Sequence, residues 1–163
     1  MPNGVHNFEY LLNGDFYKNY FPETEIINAN IKLNIEVERE ENFMIAGFNF
    51  SGYFELPCDR CLQPCMVSIN GKNTLFFKSE SNNTEETNID IDIIIVDKNV
   101  ESIDMAEFIY EFSMLLIPQK RVHGKNHYSN SECNQKMLNL IEKYSQSESI
   151  EHRWDALLSV KSN

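Results

Sequence analysis

Two cysteines separated by two residues, Cys58-Asp59-Arg60-Cys61, followed at once by Leu62-Gln63-Pro64, carry the clearest chemistry in this chain. Thiols at that spacing point into one small volume, where they can chelate a metal or form a redox pair. A thioredoxin-like pair follows a strand and opens a helix, whose N-terminus lowers the thiolate pKa. Here Pro57 precedes the pair, Pro64 follows, and the next stretch is strand-like, so the redox reading fits poorly. A zinc site needs two further soft or imidazole ligands for tetrahedral closure. Cys133, with either His123 or His127, can supply them. Sixty-one positions lie between Cys61 and His123 and nine between His123 and Cys133, far outside a compact zinc ribbon. Such a site would be tertiary, tying a β-hairpin to a distant segment. The alternative is reduced, partly buried cysteines beside a surface histidine.

A second grouping is electrostatic. Gln119-Lys120-Arg121-Val122-His123-Gly124-Lys125-Asn126-His127 is the only local concentration of positive charge in a chain of formal net charge −11. Arg60, expected to be exposed at its tight turn, could join Lys120, Arg121 and Lys125 in one basic edge able to hold a short piece of RNA or a carboxylate-rich partner. A loop made basic by chance explains the same residues. The overall charge argues against extended contact with nucleic-acid phosphates and fits a chain that attracts basic partners, or one that is acidic for solubility alone. Cys65 shares strand parity with Val67 and Ile69 and reads as a core thiol, not a ligand. Asp90 and Asp92 read as the outward face of an edge strand. No glycine-rich phosphate loop, Gly-x-Ser-x-Gly elbow or His-Glu-x-x-His motif is present, so the chain reads as non-catalytic, with no small-molecule substrate expected.

The elements that must position these residues are partly legible. With 163 residues, 42% hydrophobic content, 11 Phe and 7 Tyr, the chain can bury the core of one domain, 1–163. Residues 1–28 hold aromatics without a clear period, read as a short strand or irregular N-terminal cover. Ile31, Leu33, Ile35 and Val37 alternate with polar residues, predicting a half-buried strand. Phe43 to Leu56 predicts a second strand, with Gly47 and Gly52 as candidate bulges or bends. A third follows the cysteines through Cys65, Val67, Ile69, Leu75 and Phe77, where Asn70-Gly71 could mark a bulge or turn. The thiol pair would then sit at the hairpin between the second and third strands.

Residues 79–88 are polar and read as a mobile loop, followed by a strand over Ile89 to Val96. Asp104, with Glu107 three residues on, predicts a capped helix through Met105, Phe108, Ile109, Phe112, Leu115 and Leu116, ended by Pro118. Asn134 predicts the start of a shorter helix with Met137, Leu138, Ile141 and Tyr144 inside, and 145–163 reads as a C-terminal tail. Strands first and helices after predict an α+β fold. We expect an antiparallel, strongly twisted, partly barrel-like sheet against one long helix, with short C-terminal helices. No apolar run approaches the roughly 20 residues of a membrane span, and no secretory signal is visible, so a cytoplasmic chain is expected.

The ordered combination of these pieces resembles a known family. Cys58-Asp-Arg-Cys61-Leu62-Gln-Pro64 resembles the Cys-x-Arg-Cys-Leu-x-Pro signature of the YceD family of bacteria and chloroplasts. Ile103-Asp104 before an apolar helix, Leu116-Ile117-Pro118, Val122-His123 and Cys133 follow in the same order. His152-Arg153-Trp154-Asp155-Ala156-Leu157 is similar to the Pro-Arg-Trp-x-x-Leu close of many members. The aromatic N-terminal stretch and the Arg121-Val122-His123 form look like the Bacteroidetes branch. The resemblance implies a role in ribosome production, through accumulation or processing of large-subunit ribosomal RNA, with no established catalysis. It implies a basic large-subunit ribosomal protein or pre-ribosomal particle as partner, with ribosomal RNA as the alternative, and no membrane. It also places Cys58, Cys61, His123 and Cys133 as recurring positions, which strengthens a Cys₃His zinc site. The longer insertion before Cys133 keeps His127 open as the fourth ligand, and Trp154 joins the candidate binding edge.

Overall fold

The computed structural model describes residues 2–80, 93–97, 100, 102–123 and 133–145. The chain alternation of apolar and polar residues builds a five-stranded sheet whose spatial order follows the sequence. Its strands are β1 (Gly4–Asn13), β2 (Asn28–Arg39), β3 (Phe43–Pro57), β4 (Pro64–Glu80) and β5 (Ile93–Asp97). Three helices accompany them: α1 (Gly14–Tyr20), α2 (Ala106–Leu115) and α3 (Gln135–Ser145).

The alternation read in β2, β3 and β4 sets which face is buried. Ile31, Leu33, Ile35 and Val37 of β2 lie beside Phe48, Phe50, Phe54 and Leu56 of β3, and Cys65, Val67, Ile69, Leu75 and Phe77 of β4, all buried on one face. Apolar side chains repeating every second residue must share a face, because successive Cβ atoms of a strand alternate across the sheet. Helix α2 covers that face. Phe112 meets Phe48 edge-on at 5.4 Å between ring centroids, and Phe108 meets Phe77 at 6.3 Å.

Several expectations change in the structure. The sheet is open, not partly closed, with β1 and β5 as its edges, and it is mixed: β1 to β4 are antiparallel, whereas β5 runs parallel to β4. Strand β5 pairs with the last five residues of β4, Phe76–Glu80, and a parallel pair cannot be joined by a tight hairpin. In place of one long helix there are two of similar length, α2 with ten residues and α3 with eleven. The expected irregular cover at 1–28 contains a ten-residue strand and a helix. As an edge strand β1 buries only Leu12 fully, so it lacks the strict alternation of an inner strand.

Asn70-Gly71 is neither bulge nor turn; Asn70 pairs with Ser51 and Gly71 with Phe50 inside an unbroken β4. Glycine is needed at 71 because the side chain of Leu116, just past α2, occupies the place of a Cβ. Gly47 pairs regularly, opposite Glu36 and Thr74. The expected strand over Ile89 to Val96 is observed as Ile93–Asp97; Asp90, Asp92 and most of 79–88 lie outside the described residues, although Ser79 and Glu80 end β4.

Met105, not Asp104, holds the N-cap position of α2, and Asp104 Oδ1 accepts from the Ala106 N–H at 2.9 Å. Asn134 caps α3 as expected, its Oδ1 accepting from the Lys136 N–H at 3.0 Å. Met137 and Leu138 pack against the core, but Ile141 and Tyr144 are exposed, as is Leu115 at the end of α2.

Helix α1 brings Tyr17 into the core, edge-on to Phe54 at 5.0 Å. Its hydroxyl donates to Ser113 Oγ at 3.1 Å, and Ser113 donates in turn to the Tyr110 carbonyl at 2.8 Å. Burial pushes the Tyr17 phenol up to about 12, although the Ser113 bond favours its ionised form. The bond pins α1 to α2 across 96 positions. Tyr17→Phe keeps the ring packing and removes only this bond, so a urea denaturation series is expected to show a loss of about 1 kcal/mol.

Candidate metal centre

The turn between β3 and β4 is built to hold two sulfurs inward. The Cys58 N–H donates to the Gln63 carbonyl and the Leu62 N–H to the Cys58 carbonyl, each at 2.9 Å. Leu62 closes the turn with a φ of 61°, a left-handed conformation that costs a non-glycine residue about 1–2 kcal/mol. Cys58 and Cys61 are both fully buried at this turn.

The chain after α2 returns to the same turn. The Asp59 N–H donates to the Arg121 carbonyl at 2.7 Å, and the Arg121 N–H donates to Asp59 Oδ2 at 2.6 Å. The Arg121 guanidinium also reaches Asp59 Oδ1, through Nε at 3.2 Å and Nη2 at 3.1 Å, and Nη1 donates to Glu25 Oε2 at 2.9 Å. The Glu25 bond, followed by Asp59, holds the guanidinium pKa above its ordinary value. This clamp places His123, two residues on, against the cysteines.

Cys58, Cys61, His123 and Cys133 then present ligand atoms that all lie within 4.8 Å of one another. His123 Nδ1 is 3.5 Å from Cys61 Sγ and 3.6 Å from Cys133 Sγ. Tetrahedral zinc, with Zn–S near 2.3 Å and Zn–N near 2.0–2.1 Å, sets sulfur–nitrogen edges of about 3.5 Å and sulfur–sulfur edges of about 3.8 Å. These two histidine edges therefore already have zinc dimensions, and no ligand pair is wider than 4.8 Å. On its other side, His123 Nε2 lies 2.9 Å from the Pro64 carbonyl oxygen. A carbonyl only accepts, so the proton sits on Nε2 and the Nδ1 lone pair faces the sulfurs. The residues fit a Cys₃His metal site, with His123 as the histidine; His127 lies outside the described residues.

The electrostatics suit a metal as well. Burial opposes ionisation of Cys58, but backbone N–H groups of Arg60, Cys61 and His123 aim at its sulfur and pull the thiol down to about 6. Burial, with the neighbouring Cys61 and Cys58 sulfurs, pushes Cys133 up to about 11. One thiol of the set is thus readily ionised, while the last proton leaves only against a cation that replaces it. Cys65 stands apart in the core as expected, its thiol pushed up to about 11 by burial and then by the charges of Cys58, Asp59 and Cys61.

The basic edge is arranged differently. Arg60 is half-buried, not exposed, and donates to the His123 carbonyl at 3.2 Å. Arg121 is engaged by two carboxylates, and Lys120 is exposed. Lys125 and Trp154 lie outside the described residues. Asp59, Glu25 and the Pro64 carbonyl are site members that the sequence reading missed. Asp59 was visible beside Cys58, whereas nothing local connects Glu25 to Arg121.

With this geometry in place, residues 46–161 match the family described as large ribosomal RNA subunit accumulation protein YceD. The chain belongs to the YceD family. The match spans more than two thirds of the chain and contains all four ligand positions. It begins within β3, so β1, α1 and β2 lie outside it although β2 buries Ala29, Ile31, Leu33, Ile35 and Val37 in the core. Membership supports a role for the chain in ribosome biogenesis. No curated protein and no solved structure matches the chain. No helix among the described residues is long and apolar enough to cross a membrane.

Proposed function

We propose that this YceD protein is a non-catalytic accessory factor of large-subunit ribosome production, acting in the cytoplasm. In this reading Cys58, Cys61, His123 and Cys133 hold zinc, and the metal is a structural staple. Bound there, it would supply a cross-link between the β3–β4 turn and the segments before and after the 124–132 insertion. The family match carries the biological role, and the gathering of four ligands 75 positions apart in sequence supports the staple. The net charge of −11 favours a basic ribosomal protein as partner, drawn by long-range attraction, over direct capture of ribosomal RNA. The placement of Arg60 and Arg121 in internal bonds weighs the same way, because both are already occupied by groups of this chain.

The turn itself offers a contact point. Leu62 is 67% exposed at its apex and holds a left-handed conformation that glycine would adopt without strain. We read this exposed apolar side chain at a strained position as a contact made outside the chain. Leu62→Gly is expected to keep the zinc ratio, to leave thermal stability equal or slightly higher, and to lower recovery of large-subunit components in pull-downs several-fold. In cells depleted of the wild-type chain, large-subunit ribosomal RNA should fall and be restored by wild type but poorly by Leu62→Gly. Unchanged ribosomal RNA on depletion would remove the functional reading, and undiminished recovery with Leu62→Gly would remove the contact.

A further inference from the structure

Strand β1 pairs with β2 on one side, and among the described residues no element pairs with its other edge. Ten consecutive register pairs with β2 run without a bulge, so the outer edge presents a regular row of N–H and C=O groups. Natural edges are usually blunted by proline, lysine or a bulge. Gly4–Asn13 has none of these, and its only charged residue, Glu9, is drawn to Lys32 of β2 at 3.6 Å. Val5 and Leu11 are 57% and 70% exposed on the outer face of this strand, and Tyr10 is exposed on the other.

We propose that β1 is a self-association edge, on which a second copy of the chain adds its own β1 in antiparallel pairing centred on Phe8. A two-fold axis through Phe8, perpendicular to the sheet, keeps each side chain on its own face and sets residues opposite one another in fixed pairs. Val5 then faces the second copy's Leu11 twice, His6 faces Tyr10 twice, Phe8 faces its own copy, and Glu9 faces Asn7. Apolar and aromatic cross-strand pairs each contribute, while like charges opposite one another are unfavourable. Shifting the centre to Glu9 would oppose two glutamates, and shifting it to Asn7 would set Val5 against Glu9. The Phe8 register alone satisfies both faces. This strand precedes the family-matched residues, so the edge belongs to this chain's own N-terminal part.

Light scattering of the full chain during size-exclusion chromatography, over a range of loading concentrations, tests the pairing. A mass rising from 19.1 kDa toward twice that value is expected. Val5→Lys with Leu11→Lys opposes lysines at two cross-strand positions and should weaken the dimer by at least about tenfold in dissociation constant. Both positions are exposed in the single chain, so circular dichroism of the dilute variant should match wild type. Val5→Lys with Leu11→Glu sets opposite charges in the same pairs and should restore assembly. A mass that stays at 19.1 kDa up to the highest concentration overturns the proposal. So does a dimer that ignores the lysine pair, one that the Lys–Glu variant fails to restore, or a monomer whose β1 takes up another protein's strand.

Discussion

Cys58→Ser with Cys61→Ser is expected to abolish metal binding and release the segment after α2 from the sheet. Wild-type protein made without an affinity tag should carry close to one zinc per chain, and the double variant almost none. The hydroxyl of serine does not ionise near neutral pH and is a poor zinc ligand, so half of the donor set is lost. Structural zinc supplies roughly 10–16 kcal/mol of apparent binding energy where folding depends wholly on the metal. This sheet has its own core, so the loss here is partial: at least about 3 kcal/mol, or on the order of 10 °C in thermal midpoint for a chain of this size. Hydrogen exchange should rise in residues 119–123 and 133–145, while amides of β2 and β3 stay protected. Cys65→Ala provides the contrast, since it should keep its zinc. A wild-type zinc ratio near zero, or a midpoint indifferent to a chelator, would refute the staple and leave reduced thiols held by hydrogen bonds.

The second large effect is expected at Gly52. Its φ of 155° is one that side chains rarely adopt, and an added Cβ would collide with the Asn30 carbonyl oxygen and the Ile31 Cα. Both obstacles are backbone atoms of β2, so relief requires parting β2 from β3 at the centre of the sheet. Gly52→Ala should therefore cost more than about 3 kcal/mol, at the upper end for a single substitution. Gly47→Ala tests whether this reflects geometry or the general dislike of strands for change. A Cβ there meets nothing closer than the Glu36 carbonyl oxygen at 3.8 Å, an ordinary contact, so a change under about 1 kcal/mol is expected. Equal denaturant midpoints for the two variants would contradict the assignment.

The two glycines show where local reading stops. Each sits in an apolar strand pattern and each looked like a bulge or bend, yet only Gly52 departs from ordinary backbone. Gly71 is more instructive still. Beside Asn70 it resembles a turn, but it lies mid-strand because Leu116, forty-five positions later, needs the space. A glycine required by a distant side chain carries no local signature. The N-terminal strand was hidden for a related reason: an edge strand with one lightly covered face is not forced to alternate strictly.

What the sequence determined by itself is the part governed by near neighbours. Period-two burial placed the inner strands β2, β3 and β4 and put the cysteine turn between two of them, because a strand's faces are set by its own pleat. Residue chemistry marked Cys58, Cys61, Cys133 and either His123 or His127 as candidate ligands and separated Cys65 from them by parity. Only the tertiary structure decided that these four meet, that the Pro64 carbonyl turns the His123 Nδ1 lone pair toward the sulfurs, and that Arg121 is spent on Asp59 and Glu25. It also decided that the sheet stays open, with β5 parallel at one edge and β1 at the other. The placement of His123 and Arg121 depends on contacts across 59 to 96 positions, where packing and electrostatics between remote segments, not local propensity, choose the arrangement.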